Sequence, residues 1–250
     1  MQSTLKKYFG YDQFRPLQED VIRHILNGKD CLVLMPTGGG KSLCFQIPAL
    51  MMEGTAVVVS PLISLMKDQV ESLRANGIEA AALNSNASEA ENREIAERAY
   101  RGEYKLLYVS PERLLAEMET GVLHHSSGAN PTGALKVSLF AIDEAHCISQ
   151  WGHDFRPEYT QLGRLKEFFP GVPVAAFTAT ADKITKEDIV QQLRLEKDET
   201  GEPKIFVSSF DRPNLSLDVR RGYSAQDKLR FLLALIARHR NESGIVYCMS

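Results

Sequence analysis

Cysteine, tryptophan and positive charge are all scarce in this sequence, and each shortage closes off a class of protein. Four cysteines, Cys31, Cys44, Cys147 and Cys248, stand in 250 residues. They form no Cys-x-x-Cys pair and lie in apolar segments, so they read as buried free thiols of a reducing compartment, not a disulfide frame or a zinc site. No apolar run approaches the roughly 18–20 residues that span a bilayer, and MQSTLKKYFG offers no signal-peptide core. The expectation is a soluble intracellular protein, in the cytoplasm or nucleoid of a bacterium or the nucleus of a eukaryote. Lys and Arg number 29 against 32 Asp and Glu, a formal charge of −3. No global basic character points to nucleic acid, so such binding would need local patches. The 44% hydrophobic content suffices for one large α/β domain, or one domain with part of another.

What is present centres on LVLMPTGGGKSLCFQIPAL, Leu32 to Leu50. A short apolar run, Cys31 to Met35, reads as a buried strand. Pro36, Thr37, Gly38, Gly39 and Gly40 then interrupt regular structure, and after Lys41 and Ser42 an apolar run of helical length follows. Strand, glycine-rich turn, Lys-Ser and helix is the context of a phosphate-binding P-loop. Glycines let backbone N–H groups close round phosphate oxygens with no Cβ in the way. Lys41 would sit on the β- and γ-phosphates, and the Ser42 hydroxyl would ligate Mg²⁺. Met35 occupies the place of the pattern's usual first Gly, which tells against a small GTPase or kinase and suits the helicase branch of P-loop proteins.

From Leu32 onward, apolar strand and amphipathic helix alternate. Strands are expected at 31–35, 56–60, 79–83, 106–110, 137–142, 172–177 and 205–208, with helices at 63–76, 88–100, 159–168 and 181–193. This is βαβ repetition, hence a mainly parallel sheet covered on both faces, with ligands beyond the carboxyl ends of the strands. An amphipathic helix is expected within 1–28, its apolar face Leu17, Val21, Ile22, Ile25 and Leu26. Before it, Tyr11, Arg15 and Gln18 fit an adenine: a ring to stack, a guanidinium for base or phosphates, and an amide that donates and accepts. The same residues fit a plain helix start with Pro16 in its first turn, and spacing does not choose. Residues 117–134, poor in apolar period, read as a mobile surface loop, with His124 and His125 a solvated pair before a metal site.

The apolar strand 137–142 runs into Asp143, Glu144, Ala145 and His146. An apolar run ending in Asp-Glu is a weak signal alone. About 100 residues after a P-loop it gains weight, because the two motifs share one metal and one nucleotide: Asp143 for the Mg²⁺ shell, Glu144 for the attacking water. CISQWGHDFRPEY follows, with the only Trp of the chain. Its aromatics interleaved with Arg156 suit stacking on unpaired bases; Trp151 and Phe155 also fit as anchors of the loop onto the core. Thr178 and Thr180, at the end of the 172–177 strand, can link sites by hydrogen bonds or cap the next helix.

FRPLQ, MPTGGGKS, VVVSPLISLMKDQV, LLYVSPERL, DEAHCISQWGHDFRPEY, FTATA and SSFDRPNL together resemble the RecQ family of superfamily 2 DNA helicases. The aromatic loop directly after DEAH separates that family from DEAD-box RNA helicases. The resemblance implies a RecA-like P-loop domain, ATP and Mg²⁺, 3′-to-5′ translocation on single-stranded DNA and unwinding of partly duplex DNA in repair and recombination. It implies adenine contacts from Tyr11, Arg15 and Gln18, and phosphate and Mg²⁺ contacts from Thr37, Gly38, Gly39, Gly40, Lys41 and Ser42. Asp143 and Glu144 would carry metal binding and catalysis. His146, Gln150, Trp151, Phe155 and Arg156 would relay DNA occupancy, with Thr178 and Thr180. Ser60, Pro61, Ser110, Pro111, Glu112 and Arg113 would lie in loops facing DNA, with Arg113 on phosphate. Residues 1–208 would form the first lobe. Residues 209–250 would form a linker and the start of a second, as helix 227–240 and strand 244–248. Without the second lobe's arginines, the chain is expected to bind ATP weakly, hydrolyse it slowly and not unwind DNA. Two other readings remain: an ATP-gated nucleic-acid-binding module without catalysis, and an RNA helicase.

Overall fold

The computed structural model describes residues 1–84, 86–119, 135–150, 154–209, 215–216, 218–222 and 224–248. The chain falls into two units, Met1–Phe210 and Asp211–Ser250. The first unit holds seven strands: β1 (Cys31–Leu34), β2 (Thr55–Val59), β3 (Ala80–Leu83), β4 (Leu106–Val109), β5 (Val137–Ile142), β6 (Val174–Thr178) and β7 (Ile205–Val207). Their order is β3-β4-β2-β5-β6-β1-β7, and every ladder is parallel. The seven strands expected between residues 31 and 208 are all present, with ends shifted by at most two residues.

Strand residues alternate between two cores, as a sheet covered on both faces requires. Leu32, Leu34, Val57 and Val59 belong to one, and Cys31, Val33, Ala56 and Val58 to the other. The covering helices are α1 (Gln2–Phe9), α2 (Gln18–Leu26), α3 (Lys41–Met51), α4 (Ile63–Ala75), α5 (Glu89–Tyr100), α6 (Pro111–Glu119), α7 (Pro157–Thr160), α8 (Leu165–Phe168) and α9 (Lys183–Gln192). Burying each Leu or Val side chain contributes about 1.5–3 kcal/mol, which holds these helices to the sheet.

Four local expectations are corrected. The amino-terminal segment holds two helices, not one, and α2 starts at Gln18 after Leu17 in a left-handed conformation (φ 73), beyond Pro16. The expected helix 159–168 is broken into α7, a 3-10 turn at Gln161–Arg164 and α8. There Gly163 lies against the Gln192 carbonyl so closely that a Cβ would come within 2.3 Å of it. The segment 117–134 does not begin as loop, because α6 continues through Glu119; His124 and His125 lie outside the described residues. In the second unit, α10 (Ala225–Arg238) is capped reciprocally by Ser224 and Asp227, but 244–248 forms no strand. It has no ladder partner among the described residues, and a lone strand leaves its backbone groups unpaired.

At the amino rim of the sheet Asp30, just before β1, is fully buried and ties distant segments together. Its carboxylate accepts from Val174 N at 2.8 Å, from Glu196 N at 2.9 Å and from Lys166 Nζ at 2.7 Å. A cavity of about 600 Å³ opens there, lined by His24, Lys29, Glu196 and Lys204 among others. It carries mixed charge and no glycine-rich loop.

Candidate nucleotide site

The opposite, carboxyl rim gathers the sequence motifs. One cavity of about 430 Å³ is lined by Tyr11, Arg15 and Gln18, by Thr37, Gly38, Gly40, Lys41 and Ser42, and by Ser60, Asp143 and Glu144. β1 delivers the glycine loop and β5 delivers Asp143, with β6 between them in the sheet. The volume is in the range of pockets that enclose small organic ligands.

The loop is held from the amino-terminal side. Arg15 Nη1 donates to the Gly38 carbonyl, and Gln18 Nε2 donates to the Gly40 carbonyl at 3.0 Å. Gln18 Oε1 accepts from Arg15 N at 2.8 Å, so this buried amide supports the loop with both ends. Tyr11 remains 56% exposed at the mouth. Gly40 (φ 87) starts α3, and a Cβ there would stand 2.3 Å from Gln18 Nε2. Gly39 does not line the cavity, but its N–H closes the turn onto Pro36 O at 2.8 Å. Lys41 Nζ donates to Met35 O at 3.3 Å, which folds the cation back into the loop.

Asp143 is mostly buried. Burial, then the neighbouring Glu144 carboxylate, push its pKa up to about 6, against the pull of its backbone hydrogen bond and of Lys41. Glu144 holds a left-handed φ of 47, strain of the kind that persists where surroundings fix it. Its hydrogen bond with His146 holds its carboxyl below the usual range. His146 is pushed up to about 10 by its contacts with Cys147 and then Glu144. Two partly buried carboxylates with Lys41 as the near cation suit a divalent ion carrying its own phosphate ligands. No cluster of three His, Cys, Asp or Glu side chains exists among the described residues; Mg²⁺ needs only one or two protein ligands when phosphates supply the rest. Ser42 and Asp143 would be those ligands.

Behind Asp143, His146 Nδ1 meets Thr178 Oγ1 at 3.0 Å, and Thr178 Oγ1 donates to Thr180 O at 2.9 Å. Neither threonine caps α9; Asp182 does, accepting from Thr185 N. The loop after β5 is pinned at its base: Tyr159 donates from its hydroxyl to Asp143 O, and Ser149 Oγ donates to Asp188 at 2.6 Å. Gln150 is exposed, Phe155 and Arg156 are half-buried, and Trp151 lies outside the described residues. Ser60 and Ser110, after β2 and β4, are 2% and 1% exposed, with hydroxyls that have no partner among the described residues. Pro61 and Pro111 are buried, while Glu112 is exposed. Arg113 pairs with the buried Glu117 at 2.5 Å, so its charge is already matched.

Sequence reasoning missed Gln46, Gln69 and Tyr108, which line the inner end of the same cavity. A signal existed for Gln46: it follows Ser42 by four residues on α3 and shares its face.

A profile of DEAD/DEAH box helicases matches residues 15–189, and the chain belongs to that family. Solved structures agree on the fold: a hypothetical ATP-dependent RNA helicase from Sulfolobus tokodaii superposes with a TM-score of 0.60 at 20% identity, covering 83% of this chain and 57% of that one. The Hef helicase domain of Pyrococcus furiosus gives 0.55 at 21%, covering 80% and 39%. In sequence, the chain is 49% identical to the ATP-dependent DNA helicase RecQ of Haemophilus influenzae over 99% of its own length and 37% of that protein. It is 45% identical to RecQ of Bacillus subtilis, over 98% and 39%. The chain spans well under half the length of these two relatives.

Proposed function

We propose that this chain is the ATPase part of a DNA helicase, in which hydrolysis of ATP drives 3′-to-5′ movement along single-stranded DNA and opening of duplex in repair and recombination. The observation carrying this reading is the convergence of Lys41, Ser42, Asp143 and Glu144 on one cavity at the carboxyl rim of a parallel sheet. Residues 1–208 serve as the first lobe and 209–250 as the start of a second. Glycine-loop N–H groups and Lys41 hold the phosphates, and Tyr11, Arg15 and Gln18 face the adenine side. Magnesium held by Ser42 and Asp143 would supply charge neutralisation at the phosphates. Glu144 takes a proton from water as its oxygen bonds to the γ-phosphorus. The bond to the β-phosphate oxygen breaks, leaving ADP and inorganic phosphate. The His146–Thr178–Thr180 chain relays the state of the site, and Gln150, Trp151, Phe155 and Arg156 sense the strand. Ser60 and Ser110 sit too deep for their hydroxyls to meet DNA in this conformation, so contacts from those loops fall to backbone N–H groups and to Arg113 once it leaves Glu117.

DNA is preferred to RNA because the relatives sharing 45–49% identity are named DNA helicases, while the neighbour named an RNA helicase shares 20% and the fold alone. The test is steady-state ATP hydrolysis with single-stranded DNA, single-stranded RNA or neither, on this chain and on one extended past Ser250. Stimulation by DNA only, appearing with the extended chain and lost in Lys41→Ala, is expected. In P-loop enzymes an arginine finger is worth about 10³–10⁵ in turnover, so the 250-residue chain alone should be slow and should not unwind DNA. Tight ATP binding with no hydrolysis by the extended chain would favour a non-catalytic ATP-gated module instead.

A further inference from the structure

The candidate site is charged at its mouth and neutral at its inner end. The same cavity is also lined by Gln46 of α3, Gln69 of α4, Ser60 after β2 and Tyr108 of β4, of which Gln46, Ser60 and Tyr108 are buried. Gln46 Nε2 donates to Gln69 Oε1 at 3.2 Å, which ties the two helices. Among the described residues, two hydroxyls remain without a hydrogen-bond partner, Ser60 Oγ and Tyr108 OH, although both residues are only 2% exposed. The Gln46 amide approaches the Tyr108 hydroxyl without completing a hydrogen bond. A buried hydroxyl left unpaired carries an uncompensated desolvation cost. Two of them lining one chamber, together with amide N–H groups, mark a place built to meet oxygen atoms from outside the chain. Gln46, Ser60, Gln69 and Tyr108 are neutral and able to donate, and burial, with the Asp143 carboxylate nearby, raises the Tyr108 pKa, so its proton stays on.

We propose that this inner chamber is a subsite for a small tetrahedral oxyanion, inorganic phosphate, received from the hydrolytic site as it leaves ADP. The assignment rests on the ATP-hydrolysis reading above and adds a route to it. ADP blocks the outer side of the cavity, towards Arg15 and Gln18, whereas the inner side starts beside Asp143. Ser60 and Tyr108 offer hydroxyl donors and Gln46 and Gln69 offer amide donors, with Lys41 the cation at the entrance. Ser60 has a second consequence: it is the residue before Pro61 and α4, so phosphate on its hydroxyl sits at the start of a loop assigned to face DNA.

The test is calorimetric titration of inorganic phosphate into the 250-residue protein saturated with MgADP. One phosphate per chain is expected. Tyr108→Phe and Ser60→Ala should each weaken it on the order of tenfold, the loss of one hydrogen bond to a charged group, while MgADP affinity stays within about twofold, as expected for groups that touch no part of ADP. Should Tyr108→Phe fail to fold, Gln69→Leu and Ser60→Ala carry the same comparison. Normal MgADP binding without phosphate uptake overturns the subsite and leaves the ATPase reading standing. So does uptake that ignores all three substitutions, since that phosphate would be held by the glycine loop alone. Absence of MgADP binding, in wild type and Lys41→Ala alike, removes the nucleotide reading and the subsite with it.

Discussion

Asp143 shows how a single side chain can be placed for chemistry at the expense of the fold. With its pKa raised to about 6 from an ordinary 3.8, the folded state binds this proton more tightly than the unfolded chain does. Stability from that proton is therefore complete below about pH 4 and lost as pH rises through 6. Asp143→Asn, which mimics the protonated form, should stabilise the nucleotide-free and metal-free protein at pH 8 by about 1–3 kcal/mol, discounting for partial exposure. In a domain of this size that is roughly 3–10 °C in Tm. Thermal melts from pH 8 downward check it: the advantage should narrow below pH 6 and shrink towards nothing near pH 4. A constant difference across that range would mean that burial of the charge is not its source. The identity of Asp143 was legible from an apolar run ending in Asp-Glu at the right distance from a P-loop. Glu144 was legible from the same motif, but its left-handed backbone was not, nor was the Tyr159 hydroxyl that braces the Asp143 carbonyl, which depends on where α7 packs.

At the scale of elements, the glycine loop and α3 were readable and their support was not. Pattern left Gln18 open between an adenine contact and a plain helix start; packing gives it two partners in the protein, Gly40 O and Arg15 N. The local pattern could not distinguish these, since Gln18 and Gly40 meet only when α2 packs on α3. That contact makes Gly40 doubly constrained. Its φ of 87 costs an L residue roughly 1–2 kcal/mol, and a methyl group would also displace the Gln18 amide, losing hydrogen bonds worth about 0.5–1.5 kcal/mol each. Gly40→Ala should thus cost about 2–4 kcal/mol in the wild-type background but only about 1–2 when Gln18 is already Ala. Urea unfolding of the two single variants and the double variant measures the difference. Additive losses would show that the amide moves aside freely and does not brace the loop.

Across the whole molecule, parallel strand order and two-sided burial followed from alternating strand and helix patterns, whereas the contacts that lock the sheet together did not. Asp30 is the plainest case. Nothing local distinguishes it from a solvated Asp in the Gly-Lys-Asp turn before β1, yet it is fully buried and receives Val174 N, Glu196 N and Lys166 Nζ from segments 136 to 166 residues away. It joins the starts of β1 and β6 to the segment leading to β7, at the rim opposite the nucleotide cavity. This stabilising cluster and the proposed nucleotide site therefore occupy opposite ends of the strands, and substitution should separate them. Asp30→Ala leaves the Lys166 ammonium, whose side chain is 14% exposed, with only its longer contacts to Glu196 at 3.4 Å and Val172 O at 3.5 Å, and it orphans two backbone donors, so a loss of about 2–4 kcal/mol is expected. Asp30→Leu with Lys166→Met removes both charges, and replacing a buried pair by apolar groups is often close to neutral. Recovery should nevertheless be partial, because Val174 N and Glu196 N still lack an acceptor. Urea unfolding gives the stabilities, and nucleotide titration under native conditions should return the same ATP affinity in all variants. If Asp30→Ala weakened ATP binding as strongly as it weakened the fold, the two rims would be coupled through the sheet and the separation would not hold.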